Sequence, residues 1–231
     1  DAIRHALAAE DFARAADLVE REWPAARRGR QEAVLLGWLR ALPDEVLRRR
    51  PVLGAAYAHV LLASGVLEGV EEHLLSAERW LGAPAEARPE GMVVVDEEAF
   101  RRLPGTIAIA RAGVALARGD APGAVTHARR ALDLAPEDDH LTRGGAAGCL
   151  GLVSLASGDL EAAHRTYAAG MASLQRAGNT ADAVNGAITL AAIRLAQGRL
   201  RQAMRTYEHA LQLAAKEGAP IVRGAADIHV G

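Results

Sequence analysis

Cysteine is almost missing from this chain. Cys149 stands alone, so no internal disulfide can form, and such usage fits a reducing compartment. Its apolar neighbourhood reads it as a packing thiol. Lysine is as scarce: Lys216 is the only one among 27 lysines and arginines, and it follows Ala215. A Gly-rich phosphate loop needs its lysine behind a glycine, which argues against nucleotide hydrolysis by this stretch. Aromatic residues make up only 3%, although half the residues are apolar. The core must therefore be built from Ala, Leu and Val, which suits closely packed helices and leaves little material for a sheet. A net charge of −2 gives no electrostatic footprint for nucleic acid. The basic clusters Arg27, Arg28, Arg30 and Arg48, Arg49, Arg50 read as solvated helix faces. No basic-then-apolar leader opens the sequence, and the uncharged run 144–158 is too short to span a bilayer. No membrane association and a cytoplasmic location are the default expectations.

What is present is repetition. Leu150, Leu155, Ala156, Gly158, Leu160, Ala163, Tyr167 and Gly178 return 40 residues later as Leu190, Leu195, Ala196, Gly198, Leu200, Ala203, Tyr207 and Gly218. The triplet Arg165, Thr166, Tyr167 returns as Arg205, Thr206, Tyr207. Each unit has an apolar first half, a glycine-centred turn, and a second half with Leu160, Ala163, Tyr167, Met171 and Leu174 on one helix face. Two such helices cannot bury both apolar faces alone, so each pair must stack on its neighbours. The expectation is an all-α, right-handed superhelical solenoid of antiparallel helix pairs, forming a single domain over 1–231.

Earlier pairs follow the same ruler. Residues 2–11 and 12–23 make one, with Pro24 and Gly29 as breaks. A helix over 31–42 stops at Pro43, and Asp44 is placed to cap a short helix before Arg50 and Pro51. Residues 52–63 and 67–81 pair around Ser64 and Gly65, and residues 106–117 and 121–134 around Gly119 and Asp120. The spacing from Gly65 to Gly119 is 54 residues against 39 from Gly119 to Gly158. An irregular insertion over 82–104 accounts for the excess, with a short helix over 96–103 inside it. It reads as a surface connection, the alternative being a lid over the groove. Val230 and Gly231 fall where a further repeat would begin, so the sequence is expected to be a fragment of a longer chain.

Catalysis finds little support, and no enzyme is expected. The histidines form no His-x-x-x-His pair, Glu161-x-x-His164 lacks the second copy a di-iron site requires, and no serine sits in a nucleophile elbow. No metal site and no cofactor are expected here. Binding remains. The first helices of a stack line an inner groove, placing Ala55 and His59, Ile109 and Gly113, Gly148 and Leu152, Ile188 and Ala192 there. The candidate ligand-binding polar groups are His59, Thr106, Asn185 and Thr189, with His229 as a further one. Trp23, Trp38 and Trp80 read as core rather than as sugar platforms.

Two resemblances attach to these residues. Leu150 and Gly151, Gly158 and Asp159, Ala163 and Tyr167 resemble the tetratricopeptide signature. Tetratricopeptide domains that clamp chaperone tails carry Lys, Asn or Arg at the groove positions, and this sequence does not. The run Trp38, Leu39, Arg40, Ala41, Leu42, Pro43, continuing to Arg50, Pro51, Ala56 and Tyr57, resembles the helical-repeat domain of MalT-like regulators, the ATP-dependent branch of LuxR-type transcription activators. Ala2, Ile3, Arg4, His5, Ala6, Leu7 and the group Glu78, Arg79, Trp80, Leu81 are similar to that family too. This resemblance implies an ATP-binding domain before the repeats and a helix-turn-helix domain after them. It also implies a small-molecule inducer or protein partner in the groove, self-association of the whole protein, and no direct nucleic-acid contact by this stretch. A generic tetratricopeptide scaffold for protein partners is the alternative.

Overall fold

Small apolar residues at three- and four-residue spacings fold into twelve helices, with no strand among the described residues. The structure is a computed structural model that describes residues 2–82 and 89–217. It divides into two compact units, Asp1–Val114 and Ala115–Gly231. His229 and the start of a further repeat at Val230 lie outside the described residues.

In the first unit, α1 (Ala2–Ala8) packs on α2 (Phe12–Arg28). Periodicity predicts that α2 breaks at Pro24, yet the helix continues for another turn. A proline inside a helix removes one backbone bond at a cost of ~3 kcal/mol. Here the buried Ala15, Ala16, Val19 and Ala26 flank it on the packed face and offset that loss. Next come α3 (Glu32–Arg40), α4 (Asp44–Arg48) and α5 (Pro51–Ala63). Pro43 rather than Asp44 is the N-cap of α4, extended at φ −62° and ψ 142°; Asp44 lies in the first turn, where its charge suits the helix dipole. Pro51 occupies the start of α5, where no N–H is needed. α5 is apolar all round because it is enclosed: nine of its residues are buried. It runs antiparallel to α6 (Val70–Glu78), since Gly54 lies against Ala77 and Leu61 against Gly69.

The irregular stretch is shorter than the spacing predicts. α7 (Glu97–Ala117) starts seven residues before Pro104 and passes straight through it, absorbing the expected short helix. Leu103, Ile107, Ala110 and Val114 are buried along one face, in one cluster with Leu61, Val70 and Leu74. That continuous apolar face overrides the proline.

The second unit carries α8 (Ala121–Leu134), α9 (His140–Ala156), α10 (Leu160–Arg176), α11 (Thr180–Ala196) and α12 (Leu200–Glu217). The two halves of each predicted unit appear as α9 with α10 and α11 with α12. Gly158 shows how the turn works. At φ +82° it ends α9, so that the Asp159 N–H reaches the Ser154 carbonyl at 3.0 Å. The Asp159 carboxylate then caps α10 by accepting from the Ala162 N–H at 3.0 Å. Antiparallel α9 and α10 approach very closely. A Cβ on Gly144 would meet Leu174 Cγ at 2.9 Å, and one on Gly151 would meet Tyr167 Cβ at 2.8 Å. The glycines of α9 opposite Tyr167 and Leu174 are therefore a packing device.

Candidate functional site

The four polar groove candidates fall two in each unit, and their environments differ. His59 on α5 has its ring edge-on to Trp23, with centroids 5.4 Å apart. Burial first, and then the positive charges of Arg27 and Arg30, hold its pKa well below the usual value, so it is neutral. Thr106 donates to its own helix, to the Arg102 carbonyl at 3.2 Å. Asn185 and Thr189 lie one turn apart on α11, both half-buried. Thr189 hydrogen-bonds with Tyr167, whose phenol is pushed up by burial. Of the apolar positions placed in the groove, Ala55 and Gly148 are buried and Gly113 lies against Leu62. They face partner helices, because close helix approach selects small residues at such points. Cys149 is half-buried, and burial alone pushes its thiol up to about 11.

The densest polar construction in the first unit lies where α4 meets α5. Arg50, the N-cap of α5, is buried and reaches back to α2. Its Nη2 sits 2.6 Å from Asp17 Oδ1 and donates to the Ala13 carbonyl at 3.2 Å, while Nη1 lies 3.6 Å from Glu20 Oε2. Glu20 is buried too, and its Oε1 accepts from the N–H groups of Val95 and Asp96 at 2.9 and 3.3 Å. Burial raises its pKa; the two N–H donors and Arg50 pull it the other way but do not cancel the rise. The carbonyls of residues 48 and 49 are held as well. Trp80 Nε1 and Arg79 Nη2 donate to the Arg48 carbonyl at 2.9 and 2.7 Å, and the Val93 N–H donates to the Arg49 carbonyl at 2.8 Å. These contacts tie the described end of the insertion to α2 and to the α4–α5 junction. Arg111 of α7 similarly bridges Glu71 and Glu78 of α6 at 2.8 and 2.7 Å.

Two solvent-open recesses flank α4. One, of about 300 Å³, includes Asp44, Arg48, His73, Ser76 and Arg79 in its lining. His73 stacks on Tyr57 at 4.3 Å, and burial lowers its pKa despite Glu72 and Asp44 nearby. The other, of about 950 Å³, includes Glu45, Arg48, Arg49, Arg79 and Trp80. Sequence reasoning missed this grouping; the only signal was that the arginine run and Glu78, Arg79, Trp80 belonged to the same resemblance. No cluster of three or more His, Cys, Asp or Glu side chains able to hold a metal occurs among the described residues. No described helix is long and apolar enough to cross a membrane.

A family model described as the MalT-like TPR region matches residues 105–231, more than half of the chain. The chain belongs to the MalT-like TPR family. Its membership rests on the α8–α12 repeats and the end of α7, not on residues 38–57, which lie outside the match. In this MalT-like chain the 38–57 passage has a clear structural role, since Arg48, Arg49 and Arg50 anchor it to α2, α6 and the end of the insertion. No curated protein matches the sequence.

Proposed function

We propose that this chain is the sensor and regulatory repeat domain of a LuxR-type transcription activator. It binds an inducer or protein partner, and its occupancy governs self-association and DNA binding by other domains of the same protein. It works by binding rather than catalysis, in the cytoplasm, and ATP would be held by a separate domain. The observation that carries this reading is the MalT-like TPR match over stacked helix pairs. A scan of thermal stability against sugars and metabolites tests it: one class of ligand should raise the melting temperature, as any ligand selective for the folded state must. Uniform silence across the panel would remove the small-molecule reading. A protein partner is the second reading. It is favoured by the internal commitment of Thr106 to Arg102 and of Thr189 to Tyr167, which leaves fewer free polar groups to fix a small ligand.

A further inference from the structure

We propose that the cleft between α4 and the end of α6 docks an acidic peptide segment of a protein partner. Arg48 and Arg49 line it and are exposed, and no carboxylate among the described residues pairs with either. Arg79, the third cation, is fixed in place. One of its nitrogens donates to the Arg48 carbonyl at 2.7 Å, and its guanidinium lies 5.3 Å from the centre of the Trp80 ring. A guanidinium has five N–H donors, so Arg79 keeps a free edge for a carboxylate. Against these three cations the described residues of the cleft offer one acid, Glu45. Asp44 and Glu72 line the neighbouring recess but bond none of the three.

Two arginines of the same unit are spent internally by contrast: Arg50 on Asp17 and Glu20, Arg111 on Glu71 and Glu78. Arg48, Arg49 and Arg79 instead gather positive charge in one open cleft, in a chain whose net charge is −2. Its size and lining select the ligand. The cleft is open to solvent, with room for an extended ligand. Val46, Trp80 and Pro89 add apolar surface to the same lining. An extended peptide with carboxylates either side of an apolar side chain meets both features. Nucleic acid fits less well, because Glu45 lines the cleft. The proposal uses none of the groove residues, so it stands or falls separately from inducer binding.

Fluorescence anisotropy on the 231-residue chain tests it, with a labelled peptide alternating glutamate and leucine. The peptide should bind, more tightly at low salt, and its glutamine counterpart should not. The double variant R48E/R49E should weaken binding by roughly tenfold or more, whereas R129E/R130E on the exposed face of α8 should leave it unchanged. Far-UV circular dichroism checks that both variants are folded, and R48Q/R49Q, expected to lie between them, separates loss of attraction from new repulsion. Absence of peptide binding, equal loss in the two charge-reversed variants, or equal competition by triphosphate or a single-stranded oligonucleotide would each overturn the proposal.

Discussion

The two units are both helical, but their most distinctive contacts are made differently. Between α9 and α10, contact is made by the absence of side chains. Gly170 lies so close to α9 that a Cβ on it would meet the Gly144 carbonyl and the Gly148 nitrogen, both at 2.9 Å. In the first unit the helices are joined by polar side chains reaching across gaps: Arg50 to α2, Glu20 to the backbone of residues 95–96, and Arg79 and Trp80 to the Arg48 carbonyl. The turns differ in the same sense. Gly158 and Glu10 serve the same geometry, with the following N–H bonded five residues back, Asp159 to Ser154 and Asp11 to Ala6. Gly158 adopts φ +82° without strain, as Gly65 does at +76° in the first unit, whereas the exposed Glu10 takes +56°, which is unfavourable for a residue with a Cβ. A regular repeat can rely on local glycine chemistry. Long-range polar bonds serve both units, in the second as Ser173 to the His140 carbonyl and Arg199 to Glu161.

That contrast can be broken most forcefully at Gly170. Gly170→Leu should destabilise the α9–α10 pair by about 3 kcal/mol or more, since backbone cannot yield as a flexible side chain can. Hydrogen exchange would show it as lost protection in both helices, and protection within a factor of ~3 of wild type would refute the close-approach account.

A subtler effect is expected at Glu20. Its folded pKa is raised above the ordinary 4.5, so its contribution to stability is fully present below 4.5 and is lost as pH rises through the raised value. Glu20→Gln keeps an acceptor for the Val95 and Asp96 N–H groups but cannot ionise. Relative to the variant, the wild type should therefore lose stability as pH rises above the ordinary 4.5 and through the raised value, read from urea midpoints. Parallel pH profiles would show that the carboxyl titrates alike in the folded and unfolded chains.

The smallest effect sharpens the turn comparison. Glu10→Gly should stabilise by about 0.5 kcal/mol, and Gly158→Ala should destabilise by about 1 kcal/mol. Equal signs in the two denaturation curves would mean that the turns are not equivalent.

Legibility followed the same division. The α9–α12 pairs were readable because glycine, the N-capping aspartate and a 3.6-residue period are local signals. The family was readable too, although its match falls on the repeats rather than on residues 38–57, where the resemblance was first drawn. Pro24 and Pro104 misled because a proline signals a local cost, whereas helix continuation is decided by the buried faces around it. The candidate groove was the least legible. Thr106 and Thr189 are polar and correctly spaced, but spacing does not say that one bonds its own helix and the other bonds Tyr167.

By itself, then, the sequence determined the helices of the second unit, their turns, their pairing and their family, because each depends on residues within one 40-residue repeat. Only the tertiary structure decided what Arg48, Arg49 and Arg50 do. They are neighbours in one basic run, yet Arg50 is buried against Asp17 and Glu20 while Arg48 and Arg49 stay exposed in an open cleft. That division depends on partners 30 residues or more away in the chain, at α2 and at the end of α6, and no local pattern encodes it.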